Sequence, residues 1–370
     1  MVAPTEYEIG FSMLKGIHPD IATAILDVVG SEEEFFLRSE RELSERVGMA
    51  SRLFDESYRR QVLERARLEL DYLERKAIGA CYFRNGDYPV RFQTVPDAPL
   101  MLYTVGPLDL NAKRLVSIVG TRNATRYGVE CCRNLVLGLK EQVGDDVVIV
   151  SGLAYGIDVA AHQAALEAGL PTVAVVAHGL DTIYPAVHRA VAIEIINQGG
   201  AVVTEYPHGV RAHRSNFLAR NRIIAALSDC TVVVESAFKG GSLVTANIAQ
   251  GYGRDVFAFP GRVGDEHSEG CNALIRKNVA ALITGVADLS SQLGWECRKL
   301  PEEEPTLFVV LSPEEQVVAD AMEGREVVGL NELCTLTDYP VHKLMDLLFS
   351  MEMQDVVAVF PGNRYALRKK

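Results

Sequence analysis

The chain has 370 residues, of which 48% are hydrophobic and 23% charged, with a net charge of −12. That composition excludes disorder as the main state, and the length suggests two or three domains. No uninterrupted apolar run is long enough for a membrane span, and the start MVAPTEYEIGF lacks the basic-then-apolar pattern of a secretory signal. The seven cysteines contain no C-x-x-C pair, so neither a zinc site nor a disulfide framework is expected, and a cytoplasmic location fits best.

The charge is unevenly placed. Residues 1–110 carry 13 basic and 19 acidic side chains, residues 111–300 carry 18 and 17, and residues 305–370 carry 6 and 10. The middle segment alone is not acidic, so a polyanion should bind there.

Residues 1–80 read as short helices around a turn, similar to SAM or helix-hairpin-helix modules. Leu63, Leu68, Leu70 and Leu73 form the apolar side of an amphipathic helix. Residues 81–110, with Asn85-Gly86 and several prolines, read as a turn-rich connector. From 111 to 298 the pattern changes. LVSIV (115–119), VVIV (147–150), TVAVVA (172–177), AVVTE (201–205), TVVVE (231–235) and VFAFP (256–260) are continuous apolar strands separated by helical stretches. Such alternation predicts a doubly wound, Rossmann-like α/β domain with a parallel sheet, whose ligands bind at the carboxyl ends of the strands. Residues 299–307, containing PEEEP, read as a charged linker. Residues 308–370 predict three helices and a terminal hairpin, a winged-helix-like domain with Ser312 as an N-cap and Pro313 in the first turn. Its second long helix, about 340–351, offers only His342 and Lys343 against Asp346, too little for duplex phosphates, so protein contact or a structural role is expected.

Three turns at strand ends carry anion chemistry. SIVGTR (117–122) places Gly120 and Arg122 after a strand; SGLAYGIDVAAH (151–162) has Gly152 and Gly156; FKGGSLVTA (238–246) has Lys239 and Ser242 around Gly240-Gly241. Glycine permits close backbone approach, and the following helix starts offer amides to phosphate. Neither the G-x-G-x-x-G of dinucleotide sites nor a P-loop is present, so no cofactor is expected. HGVRAHRSNFLARNRIIAALS (208–228) contains Arg211, Arg214, Arg220 and Arg222 around Phe217, with no acid before Asp229. Guanidinium groups for phosphates beside an aromatic ring for a base suit single strands; the competing reading is that Arg220 and Arg222 cap or brace the strand ends.

Together SIVGTR, SGLAYGIDVAAH, GLDTIYP (179–185), TEYP (204–207), FLARNRIIAALS (217–228), GGSLVTA (240–246) and VFAFPGR (256–262) resemble the DNA-processing protein A family, DprA or Smf. The resemblance covers about 115–285 in order. It implies a non-enzymatic, cytoplasmic, homodimeric binder of single-stranded DNA that protects incoming DNA and loads RecA recombinase during natural transformation. Carried across, the DNA-binding residues would be Gly120, Arg122, Gly152, Phe217, Arg220, Asn221, Arg222, Lys239 and Ser242. His188 departs from the asparagine usual after the Tyr-Pro turn.

Other readings compete. Asp158 and His162, four apart on a helix, could be an acid–base pair or a brace in which the carboxylate satisfies the imidazole. Asp181 could cap the helix after Pro185. Glu205 and Glu235 end strands, and a nucleotide-cleaving, phosphoribohydrolase-like enzyme is the alternative function, although GGSLVTANI lacks the acid of that family's signature. A scaffold binding basic partners is the third reading.

Overall fold

Runs of Val, Ile, Leu and Ala, too short for helices and bounded by turn residues, form the strands of the larger of two units. A computed structural model describes residues 3–296, 298, 311–325, 327–354 and 356–367. The chain divides into Met1–Arg298 and Lys299–Lys370. The charged linker expected over 299–307 lies outside the described residues.

The first unit contains β1 (Gly79–Tyr82), β2 (Met101–Val105), β3 (Arg114–Val119), β4 (Val147–Ser151), β5 (Thr172–Val175), β6 (Ala201–Thr204), β7 (Cys230–Val233), β8 (Asp255–Ala258) and β9 (Ala281–Leu282). They form one sheet in the order β1-β2-β6-β5-β4-β3-β7-β8-β9. From β6 to β9 every pairing is parallel, while β2 joins β6, and β1 joins β2, antiparallel. Both faces of the parallel part are covered. Leu115, Val119, Val148 and Val150 pack on one side with Ile223, Leu227 and Ala246; Val116, Ile118, Val147 and Ile149 pack on the other with Leu135, Val136 and Ala161. This double burial explains strands that read as continuous apolar runs.

The segment expected to be a connector contributes two strands instead. The period-2 alternation is short there: Ala80 and Tyr82 face the N-terminal helices with Met101 and Tyr103, while Cys81 and Leu102 join the core of the sheet. Asn85-Gly86 and the prolines between them obscure that alternation. The N-terminal helices therefore pack on a strand pair continuous with the central sheet, over Ile9, Phe11, Phe35, Leu43 and Phe54. In the long helix Glu56–Lys76 the inward positions are Arg59, Ala66, Glu69 and Leu73, whereas Leu68 is 60% exposed. The helix turns on a 3.6-residue period, which places 66, 69 and 73 on one face and 68 away from it.

The second unit is a winged-helix arrangement. Helices Pro313–Met322, Leu330–Thr337 and Val341–Met353 pack with a three-stranded antiparallel sheet of β10 (Val328–Gly329), β11 (Val357–Phe360) and β12 (Arg364–Leu367), in the order β10-β12-β11. Ser312 caps the first helix in a reciprocal capping box with Glu315, and Pro313 occupies its first turn. On Val341–Met353, Lys343 pairs with Glu314 at 2.7 Å, and the exposed positions include Val341, Met345, Phe349 and Met353. That face carries little unpaired positive charge. No helix among the described residues is long and apolar enough to cross a membrane.

Candidate nucleic-acid interface

The chain leaves β3 toward β4, β5 and β6 on one side, and β7, β8 and β9 lie on the other. The reversal of strand order between β3 and β7 opens a crevice at their carboxyl ends. A cavity of about 230 Å³ lies there, lined by Gly120, Arg122, Phe217, Arg220, Asn221 and Ser242 among others. Six of the nine residues expected to bind DNA thus meet in one place, drawn from three separate segments.

The turns are held tightly against each other. A Cβ on Gly120 would lie 2.4 Å from Ile157 Cγ1 and 3.0 Å from the Glu235 carbonyl, so only glycine lets β3 pass that close. The Thr121 amide donates to that same carbonyl at 2.7 Å. Gly152 is as constrained, since a Cβ there would stand 2.6 Å from both the Arg220 guanidinium and the Asp158 carboxylate. Gly152 is therefore a packing site beneath the crevice. Its carbonyl accepts a hydrogen bond from Arg220 at 2.7 Å.

In the sequence the four arginines of 211–222 have no acidic partners nearby; the structure corrects this for two of them. Arg220 is 3% exposed and donates to the carbonyls of Gly152 and Val175. The buried Asp158 attracts it electrostatically while accepting hydrogen bonds from the Gly152 and Ala154 amides. Burial raises the Asp158 pKa, with Arg220 opposing, and burial lowers that of Arg220, with Asp158 opposing. Arg222 pairs with Glu205, both largely buried, and burial raises the Glu205 pKa against the pull of Arg222. Both acids come from segments far along the chain, which local composition does not show. Arg122, Arg211 and Arg214 remain exposed and form no ion pair among the described residues, although Arg122 is near enough to the buried Asp158 to help lower its pKa against burial.

Phe217 organises the mouth of the crevice. The Arg122 guanidinium lies 5.3 Å and that of Arg220 5.9 Å from its ring centroid, within cation–π range. Tyr184, an exposed ring on the loop after β5, stands 5.5 Å from Phe217 at 51°. Tyr184 is a candidate in the sequence by its place in GLDTIYP past the third predicted strand, with a structural role favoured there; the approach of two loops sets it against Phe217. Ser242 lies at the start of helix Gly241–Gly251, and its hydroxyl donates to Ser236 Oγ at 2.8 Å. Gly240 at that helix start provides no side-chain cap, so no capping side chain competes for the amides of Gly241 and Ser242, both of which line the cavity. Lys239 is exposed on the same turn but does not line the cavity.

Several expectations for the flanking residues change. His188, where the family usually has asparagine, donates from Nδ1 to the Leu153 carbonyl at 2.8 Å. It thereby holds a turn in which Leu153 has a φ of 58°. Asp181 caps no helix: its carboxylate accepts the Gly209 amide at 2.8 Å. Glu235 accepts the Thr125 amide at 2.9 Å and the Thr125 hydroxyl at 2.5 Å, so its carboxylate is engaged at the start of helix Arg126–Gly138. Among the described residues no group of three or more side chains is arranged to hold a metal ion.

Nor does Asp158 satisfy His162. The His162 ring contacts Thr172 Oγ1 at 2.7 Å, and that hydroxyl donates to the Ile149 carbonyl, so Nδ1 carries the proton. Nε2 is buried without a partner, and desolvation, with Arg220 nearby, pushes the pKa down to about 3. A folded pKa below the unfolded value means that the unfolded chain takes up the proton first. The stabilisation is complete above pH 6.5 and is lost as pH falls toward 3. His178, also lowered by burial, acts in the same direction. Denaturant unfolding should therefore show a loss of about 2 kcal/mol from His162 alone between pH 7 and pH 5. A His162→Gln chain should lose less over the same interval; an equal loss would remove His162 from the account.

Comparisons with known proteins identify the family. The model of the family described as DNA recombination-mediator protein A matches residues 80–294. A putative DNA processing protein DprA of Mycobacterium tuberculosis is 39% identical over 290 residues, covering 74% of this chain and 73% of that protein. The X-ray structure of DNA processing protein A from Streptococcus pneumoniae superposes with a TM-score of 0.66 at 31% identity, covering 79% of this chain and 99% of that one. DNA processing protein A from Helicobacter pylori, described for its single-stranded DNA binding mode, gives a TM-score of 0.51 at 33% identity over 58% of this chain and 95% of that one. With the family match spanning more than half of the sequence and a relative 39% identical over 74% of it, the chain belongs to the DNA recombination-mediator protein A family.

Proposed function

We propose that this chain binds single-stranded DNA without sequence preference in the crevice between the ends of β3 and β7. The observation that carries the reading is Arg122: an exposed guanidinium, in no ion pair among the described residues and sharing the field of the buried Asp158 with Arg220, held over Phe217 beside an uncapped helix start. Such an arrangement suits phosphate and a stacked base, neither of which depends on base identity. The single-stranded DNA binding of the Helicobacter pylori relative supports the same ligand. Family membership supports a cytoplasmic homodimer that protects incoming DNA and delivers it to RecA recombinase during natural transformation. The engagement of Glu205 by Arg222 and of Glu235 by Thr125 favours binding over nucleotide cleavage.

Fluorescence anisotropy with labelled oligo-dT and a mixed-sequence strand tests this. Both should bind with equal affinity within a factor of about three, and log K should fall linearly with log salt at about 0.7 per phosphate held. Absence of binding, paired with release of free base from nucleoside monophosphates, would favour the enzymatic reading instead.

A further inference from the structure

The loop of residues 205–213 leaves β6 and ends at the start of helix Arg214–Leu227, which supplies Phe217 and Arg220 to the crevice. This loop is pinned to the N-terminal helix Glu56–Lys76. Glu69, 1% exposed, accepts the His208 amide at 3.0 Å and contacts the ring nitrogen Nδ1. Tyr72 stacks on the His208 ring at 4.4 Å and 16°. Arg65 donates to the His208 carbonyl at 2.8 Å.

These three contacts differ in what they leave over. Glu69 and Tyr72 are used up by His208. Arg65 is exposed, spends one of its five donors on a carbonyl, and has no acidic partner among the described residues. On the same loop, Arg211 is exposed, its carbonyl contacted by Asn216 one residue before Phe217. Arg214 follows at the helix start, and Arg122 lies over Phe217. Three carboxylates meet this loop and each is engaged: Glu69 by His208, Glu205 by Arg222 and Asp181 by the Gly209 amide. Exposed arginines thus occur at the crevice mouth, along the loop and on the N-terminal helix that holds it. Nothing in the loop's packing requires a cation at Arg65, since Glu69 and Tyr72 already fix His208.

We propose that the N-terminal helical module is part of the nucleic-acid surface, with Arg65 and Arg211 holding phosphates of a single strand that continues beyond the crevice. This rests on the single-stranded DNA reading and adds a second segment to its track. A strand short enough to sit in the crevice alone does not reach Arg65; a longer one does.

The test uses the full chain and oligo-dT of about 5 and about 16 nucleotides, the range of known single-strand site sizes. For the long strand, Arg65→Glu should weaken binding about tenfold and lower the salt slope by about 0.7, one phosphate's share. Arg65→Gln should give a smaller loss, and Arg65→Lys should restore the wild-type slope. The ratio of long-strand to short-strand affinity should fall in Arg65→Glu but not in Arg41→Glu, a charge reversal at a residue that pairs with Glu45 on its own helix. Wild-type long-strand affinity and slope in Arg65→Glu would overturn the proposal. So would an equal loss for both strand lengths, which would show that Arg65 acts only by placing the loop. A failure of the crevice itself is distinguishable, because then Arg122→Glu would leave even the short strand bound as tightly as in wild type.

Discussion

Arg220→Met should destabilise the larger unit by about 3–5 kcal/mol, the cost of removing one partner from a buried charge pair. The guanidinium is almost wholly enclosed and donates to two carbonyls at the ends of β4 and β5, Gly152 and Val175. Methionine would fill much of the volume but leave both acceptors and the Asp158 carboxylate without their cation. At roughly 2–4 °C per kcal/mol for a unit of this size, the thermal midpoint should fall by about 10 °C. Adding Asp158→Asn should recover part of that loss, because the second substitution removes the stranded charge. An Arg220→Met chain with the wild-type midpoint would show that this pair does not hold the strand ends. It follows that charge reversal at Arg220 is a poor probe of DNA binding, since any loss of affinity would include loss of the fold around Gly152.

Arg122→Glu is the clean counterpart. Arg122 lies in the open, with the Phe217 ring as its one close aromatic contact among the described residues, so its replacement should leave the unfolding free energy within about 0.5 kcal/mol of wild type. Binding of oligo-dT should weaken by about 10-fold to 100-fold, the range of a charge-assisted hydrogen bond, and the salt slope should fall by about 0.7. Arg122→Lys should keep most of the slope but lose affinity, because an ammonium neither stacks as well on Phe217 nor forks onto a phosphate. Unchanged affinity in Arg122→Glu at low salt would place the DNA elsewhere.

The two arginines look alike in the sequence, and the structure separates them completely. The reason is general for this site. Arg122, Phe217 and Ser242 are readable as site residues because each sits on a turn directly after a strand or near a helix start, where the fold class alone predicts an exposed, anion-facing position. Arg220 and Arg222 lie inside a helix, and a helix shows which faces its residues share but not what stands opposite. The contact of Tyr184 with Phe217 is hidden for the same cause: it depends on how the loop after β5 approaches another segment.

What the sequence determined by itself was the parallel, doubly wound sheet, its three glycine turns, and the Ser312 cap. Each of these is set by residues within one or two turns of chain, through hydrophobic period, glycine's missing side chain and local hydrogen bonding. Only the tertiary structure decided which guanidinium groups are free for a ligand and which are braces, and that strands Gly79–Tyr82 and Met101–Val105 flank the turn-rich residues 83–100. Those outcomes depend on desolvation and on pairing between distant segments, Asp158 with Arg220, Glu205 with Arg222 and Glu69 with His208. Burial energies of that kind exist only once the chain has closed on itself.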